Sequence, residues 1–141
     1  MPLKQLHSVT GECACAQVTY RCTIESETAI CSCDTCRHGS GSAFHGWVNG
    51  SRASLHVAGQ TSAWASSDHA TREFCTACGS SLFLFEQAEP EVVEVATGTL
   101  NEPHGIVSSR QTCAYLQKMA FLGRALVDAR RRSEPSTSVV G

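Results

Sequence analysis

Apolar and polar residues alternate along several short stretches of this chain, and a period of two is typical of half-buried β-strands. The clearest alternation covers residues 18–24, and Leu55 and Val57 alternate in the same way. Residues 80–85 are almost continuously apolar after two serines, which predicts a strand buried on both faces. Further strands are predicted at residues 29–30, 43–48, 61–66, 71–74, 92–100 and 106–107.

Polar and glycine-rich stretches mark the expected turns between these strands. A turn is expected at residues 26–28 and a loop at residues 38–42. Asn49-Gly50 favours a hairpin, because both central positions of such a turn need a positive φ. The sequence therefore predicts that a strand ends before Asn49 and returns through the stretch around Leu55.

The apolar residues change to a spacing of three or four towards the C-terminus. They are Tyr115, Met119, Leu122 and Leu126. This spacing predicts one amphipathic helix over residues 111–132. Residues 133–141 are expected to be a flexible tail. With no repeat and no linker before the tail, residues 1–132 are predicted to form a single domain.

Composition narrows the class of protein. A chain of 141 residues with 42% apolar content suits one domain with one real core. The formal charge of −2 gives no basic field, so nucleic acid is not an expected partner. The start has no apolar stretch of signal-peptide length, and no run approaches the roughly 18 apolar residues of a membrane span. We therefore expect a cytoplasmic protein with no membrane partner; the sequence leaves the oligomeric state open.

Seven of the nine cysteines fall into three tight groups. They are the N-terminal pair (Cys13 and Cys15), the central trio (Cys31, Cys33 and Cys36) and the knuckle pair (Cys75 and Cys78). Disulfides are rare in the cytoplasm, and closely spaced cysteines are typical of metal sites, so a metal-binding framework is predicted. Cys22 lies on the apolar side of its strand and is expected to be a core residue.

The seven thiols can be divided between metal ions in two ways. The knuckle pair, followed by Gly79, has the form of a zinc knuckle, which supplies two of the four ligands of a structural site. Cys33 and Cys36 could complete it as a zinc ribbon, but the interval exceeds the roughly 15 to 20 residues usual there. The N-terminal pair could complete it instead, which leaves the central trio as a three-thiolate set. The second division uses every clustered cysteine and is favoured.

A zinc site with three sulfur ligands and an open position has a definite chemistry. A substrate thiol that entered the open position would lose its proton, and zinc would act as Lewis acid and template. Cys31, Cys33 and Cys36 are therefore predicted to be catalytic. The alternative is a second structural ion, completed by a side chain such as His38 or His45.

Three ordered motifs resemble the glutathione-dependent formaldehyde-activating enzyme family, which also includes the centromere protein V group. They are residues 11–20, residues 31–37 with 41–44, and residues 74–82. The resemblance implies a mainly β, zinc-stapled fold similar to that of methionine-R-sulfoxide reductases. It also implies two zinc ions, a structural one on Cys13, Cys15, Cys75 and Cys78 and a catalytic one on Cys31, Cys33 and Cys36.

The activity that the resemblance implies is carbon–sulfur lyase chemistry. In this reaction glutathione and formaldehyde join reversibly as S-hydroxymethylglutathione. The sequence departs from the family pattern at Ala16, where a glycine is usual. It departs again after Ser109, where residues 113–116 replace a tryptophan-bearing segment.

Arg37 is the candidate for substrate binding, because its guanidinium could hold a glutathione carboxylate with two hydrogen bonds. A salt bridge to Asp34 or Glu73 is the alternative. Two other functions also remain open. One is a zinc-stapled binding module with two closed sites and no turnover, and the other is a thiol–sulfoxide redox enzyme with Cys113 as nucleophile.

Overall fold

The computed structural model describes residues 5–103 and 105–111, and over these residues the protein is mainly β, as predicted. In chain order the elements are β1 (Leu6–Glu12), β2 (Thr19–Cys31), α1 (Asp34–Ser40), β3 (His45–Ser51), β4 (His56–Ala58), β5 (Thr61–Ser67), β6 (Ala70–Cys75), β7 (Ser81–Glu86), β8 (Val92–Ala96) and β9 (Val107–Gln111). Short 3₁₀ turns, Arg52–Ser54 and Thr97–Thr99, follow β3 and β8. Among the helices in the described part of the chain, none is both long and apolar enough to cross a membrane.

The described strands form one sheet in the order β1-β2-β3-β8-β7-β6-β5, and β4 and β9 also pair with β2. Every pairing is antiparallel except that of β2 with β9. Because β1 and β4 both pair with the start of β2, they lie on opposite edges of it. The end of β2 lies in the same way between β3 and β9. This long strand therefore ties the N-terminal part of the sheet to the middle.

The turn predicted at residues 26–28 is wrong, because these residues continue β2. The register between β2 and β3 shifts between Ile24 and Thr28, and β9 pairs with β2 from Glu27 onward. Thr28 pairs with both β3 and β9, and Glu27 pairs with β9, so neighbouring strands keep this polar stretch extended. A local irregularity in the register replaces the turn.

The hairpin predicted at Asn49-Gly50 is also wrong, because both residues lie within β3. Close packing requires a glycine at position 50, because a Cβ atom built on Gly50 would lie 2.7 Å from the Sγ atom of Cys22. The chain turns after β3 through Arg52–Ser54 instead. The return strand β4 then pairs with β2 and not with β3.

Other predicted boundaries also need correction. The predicted loop at residues 38–42 is helical up to Ser40, where Gly41 ends α1 with a φ of 67°. The strand predicted at 92–100 ends at Ala96, and the edge strand predicted at 106–107 is β9. The predicted C-terminal helix and tail lie outside the described residues, apart from Gln111, which ends β9.

Both faces of the sheet are covered by apolar side chains. The larger core contains Phe83, which meets the ring of Tyr20 edge-on at 5.0 Å. Its neighbour Leu84 points to the opposite face, into a smaller core that α1 covers. The prediction that β7 is buried on both faces is thus confirmed. Cys22 is 2% exposed in the larger core, which confirms its predicted role.

Candidate metal centres

Two tight turns bring the N-terminal pair and the knuckle pair together. The four Sγ atoms lie within 4.8 Å of one another. The distance is 3.5 Å between Cys13 and Cys15 and 3.8 Å between Cys15 and Cys75. Cys13 and Cys75 are buried, whereas Cys15 and Cys78 are exposed. This four-thiol cluster therefore lies at the surface and joins the turn after β1 to the turn after β6.

The backbone of both turns is left-handed at one residue, Ala16 with a φ of 61° and Gly79 with a φ of 76°. The Ala16 N–H donates to the carbonyl of Cys13 at 3.0 Å, and the Gly79 N–H donates to that of Cys75 at 2.9 Å. A left-handed residue lets the chain fold back under its own thiols. Among the described residues, Ala16 is the one non-glycine with a positive φ.

The central trio lies where β2 ends and α1 begins. Cys31 is the last residue of β2, Cys33 caps the helix, and Cys36 is buried in its first turn. The three Sγ atoms lie within 4.8 Å of one another. The Cys33 sulfur accepts a hydrogen bond from the backbone N–H of Cys36 at 3.4 Å. One strand-to-helix junction therefore gathers all three thiols without help from distant parts of the chain.

Each cluster contains a thiol whose ionised form is favoured. In the four-thiol cluster, hydrogen bonds from Ser80 lower the pKa of Cys78 to about 5. In the central trio, burial opposes ionisation of Cys33, yet the backbone N–H of Cys36 and the neighbouring thiols lower the pKa of Cys33. Burial raises the pKa of Cys31. A thiol must lose its proton to bind a metal ion, so this pattern fits a ligand role.

The structure groups the seven thiols as four and three. It does not bring Cys33 and Cys36 to the knuckle pair, as a zinc ribbon would require. Among the side chains that are described, no histidine, carboxylate or further cysteine joins the central trio. Thiolates are preferred zinc ligands, with four protein ligands in structural sites and commonly three in catalytic ones. Each cluster could therefore hold a metal ion, and zinc is consistent with both.

A cavity of about 620 Å³ is lined by Cys78 of the four-thiol cluster and by residues that neighbour the central trio. Cys78 and Ser81 line it on the side of the four-thiol cluster. Ile30, Ser40 and His45 line it on the side of the central trio. Cys31, Cys33 and Cys36 are not among the lining residues, and His45, which lies opposite Cys31 in the sheet, connects the cavity with the trio.

The sequence matches the family described as glutathione-dependent formaldehyde-activating enzyme over residues 8–117. This chain belongs to that family. Both clusters fall within the matched region, so the resemblance carried by the three motifs is confirmed. The crystal structure of a Rhodobacter sphaeroides protein is similar to this chain, with 21% sequence identity and a TM-score of 0.57. The match covers 66% of this chain and 88% of that chain, so the two proteins share the fold. No curated protein matches the sequence.

Arg72 is a residue of this family member's site that the sequence patterns did not reveal. It lies in β6 with 8% of its surface exposed, and its Nη2 donates to the Sγ atom of Cys36 at 3.5 Å. Its guanidinium carbon is 5.5 Å from the ring centroid of Trp47. An arginine between Thr71 and Glu73 looks like one of several polar strand residues. Only the packing of α1 on the sheet places it against the trio.

Arg37 pairs with its own helix. Its Nη2 forms an ion pair with Asp34, and its Nε donates to the carbonyl of Ser32 at 3.0 Å. This is one of the salt bridges that the sequence offers as an alternative. The binding of a glutathione carboxylate by Arg37 remains a prediction.

His45 lies opposite Cys31 in the pairing of β2 with β3. Its ring stacks on Trp47 with 4.0 Å between centroids, and its Nε2 is 3.2 Å from the hydroxyl of Ser81. Burial lowers the pKa of His45, so its ring is neutral at pH 7. Neither His45 nor His38 belongs to the trio as a ligand.

Proposed function

We propose that this member of the family is a zinc-dependent carbon–sulfur lyase. It would reversibly join a thiol such as glutathione to a small carbonyl compound such as formaldehyde. The observation that carries this proposal is the central trio, three thiols that no fourth ligand-type side chain completes among those described. The family match supports glutathione and formaldehyde as the substrate class.

The two clusters take different roles in this proposal. Cys13, Cys15, Cys75 and Cys78 would hold a structural ion, and Cys31, Cys33 and Cys36 a catalytic one. Zinc bound by three thiolates supplies a Lewis acid that can accept a substrate thiol. The cavity would hold the rest of the substrate on the side of His45, the residue opposite Cys31 in the sheet. Both clusters need reduced thiols, which agrees with a cytoplasmic location.

His45 is the residue that we assign to the substrate proton. It lines the cavity, and its neutral ring can accept a proton at Nε2, directly or through the hydroxyl of Ser81. The proton would then pass to the carbonyl oxygen as the carbon–sulfur bond forms, and in the reverse reaction the same nitrogen would take it from the hydroxyl and return it to the departing sulfur. Arg37 follows Cys36 in α1 and is the candidate for a glutathione carboxylate, provided that its pairing with Asp34 opens.

Binding of a thiol through its sulfur gives the first test. Glutathione should bind to the zinc-loaded protein at least roughly tenfold more tightly than S-methylglutathione, because a thioether stays neutral and is a poorer zinc ligand. Titration calorimetry with both compounds measures the difference. Equal affinities would mean that the metal ion does not take part in recognising the thiol, and they would favour the non-catalytic binding module.

Turnover gives the second part of this test. Exchange spectroscopy on mixtures of glutathione and formaldehyde should show faster interconversion with the native protein than with Cys33→Ser. Cys22→Ser is a matched control, since Cys22 lies in the larger core and outside both clusters. Equal rates for native protein, Cys33→Ser and buffer would refute the formaldehyde reaction.

A further inference from the structure

We propose that Arg72 is the counter-charge of the central trio. Its buried guanidinium would stabilise negative charge on the trio's sulfur atoms and on an anionic ligand that joins them. Arg72 is in this sense a positioning residue that acts through Cys36. The inference rests on the metal-binding part of the proposed function but does not depend on turnover.

The buried guanidinium of Arg72 requires a negatively charged group beside it. Its side chain lies between the sheet and α1, and its Nη2 donates to the Sγ atom of Cys36. Its Nε is enclosed and has no hydrogen-bond partner among the described residues. A buried guanidinium is strongly destabilising unless an opposite charge accompanies it. A thiolate at Cys36 would provide that charge at a distance of 3.5 Å.

The carboxylates around Arg72 do not provide a full compensating charge. Within the described residues, the recorded ion pair is that of Arg37 with Asp34, and none involves Arg72. Glu94 is the carboxyl group that feels the positive charge of Arg72, but burial raises the pKa of Glu94 to about 7. Glu94 is therefore only partly ionised at neutral pH. The sulfur of Cys36 is left as the hydrogen-bond partner that can carry a whole negative charge.

A count of charges gives the consequence for ligand choice. Three thiolates and one divalent ion leave one net negative charge, and a fourth thiolate leaves two. Such an excess is unfavourable away from water, and a guanidinium in contact with one of the sulfurs offsets part of it. A neutral fourth ligand adds no negative charge, so it does not require this stabilisation by the guanidinium. Arg72 should thus favour a thiolate over a neutral ligand such as imidazole.

The four-thiol cluster has a different environment and offers an internal control. Two of its thiols, Cys15 and Cys78, are exposed, so water can solvate their charge. Its sulfurs have backbone N–H groups as partners, among them that of Val18, and Cys78 also contacts the hydroxyl of Ser80. Loss of Arg72 should therefore leave this cluster unchanged.

Metal competition against a chromogenic chelator tests the proposal, because it measures the two ions of one molecule separately. In Arg72→Gln the ion of the trio should bind roughly ten- to a hundredfold more weakly, as expected for a lost hydrogen bond to a charged group. The ion of the four-thiol cluster should keep its native affinity. Arg72→Lys, which retains the charge, should restore most of the loss. Arg52→Gln is the matched control, because Arg52 packs on Phe85 away from the trio.

The cobalt-loaded protein tests ligand choice by its absorption spectrum. Arg72→Gln should weaken the binding of 3-mercaptopropanol more than that of imidazole, again by roughly tenfold. If Arg72→Gln does not fold, Arg72→Met, an uncharged and unbranched side chain that suits a buried position, is used instead in both measurements. Equal weakening at both clusters, no weakening, or an unchanged ligand preference would each overturn the proposal. A weakened trio without any lyase turnover would refute the proposed reaction and leave the role of Arg72 intact.

Discussion

The two thiol clusters are built in opposite ways. The four-thiol cluster joins two turns that are about sixty residues apart in the sequence, and half of its thiols are exposed. The central trio comes from six consecutive residues at the junction of β2 and α1. It also has a cationic neighbour, Arg72. A cluster that connects distant turns suits a structural role, whereas a local cluster suits the catalytic role that we propose for the trio.

The largest expected difference is in the stability of two cysteine variants. Cys78→Ser should destabilise the whole fold, because zinc at a closed site contributes on the order of 10 kcal/mol to the folding of small zinc domains. Cys33→Ser should remain folded, because the trio connects only neighbouring residues. Chemical denaturation of the metal-loaded proteins, followed by circular dichroism, measures both effects.

Metal analysis of the same proteins checks the interpretation. The native protein, purified under reducing conditions, should carry two zinc ions, and Cys33→Ser should carry one. One ion in the native protein would contradict the division into four and three thiols. Equal destabilisation by the two variants would mean that both clusters are structural.

A smaller effect is expected at Glu94, on the face of the sheet that carries Arg72. Burial raises the pKa of Glu94 from 4.5 to about 7, so the folded protein holds its proton more tightly than the unfolded chain. The resulting stability is complete below pH 4.5 and is lost as the pH rises through 7. Glu94→Gln stays neutral and should be more stable than the native protein at pH 8, by about 1 to 3 kcal/mol after allowance for partial exposure.

Denaturation at pH 4.5 and pH 8 provides the measurement for Glu94→Gln. The two proteins should be equally stable at the lower pH. Glu91→Gln is the control, since Glu91 is exposed in the preceding turn and should show no such difference. An advantage of Glu94→Gln that is independent of pH would refute the electrostatic explanation.

The smallest effect is expected at Ala16, in the turn of the N-terminal pair. A left-handed backbone is strained for alanine but not for glycine, so Ala16→Gly should stabilise the protein by about 1 kcal/mol. The gain should disappear when the metal of the four-thiol cluster is removed, because the turn is then free to change its backbone. Ala14→Gly, in the same turn without a positive φ, should destabilise by about 0.5 to 1 kcal/mol. A loss of stability in both variants would show that the φ of Ala16 is not strained.

The strands of the larger core follow directly from local patterns. A single segment shows which of its side chains face the core. This is the case for the alternation over residues 18–24 and for the apolar run in β7. The predicted turns at residues 26–28 and at Asn49-Gly50 fail for a tertiary reason. Neighbouring strands hold the first stretch extended, and close packing against Cys22 requires the glycine of the second.

The sequence by itself determined that seven thiols form three groups, and that the spacing within each group suits a shared metal ion. The grouping of the central trio follows from this local spacing, whereas the helix that carries Cys36 emerged only in the structure. The tertiary structure decided that the N-terminal pair meets the knuckle pair, since the order of the strands controls which turns are neighbours. It also decided that Arg72 faces Cys36, because this contact depends on how α1 packs on β6 and its neighbours. Local spacing carries no information about a charge that approaches from another strand.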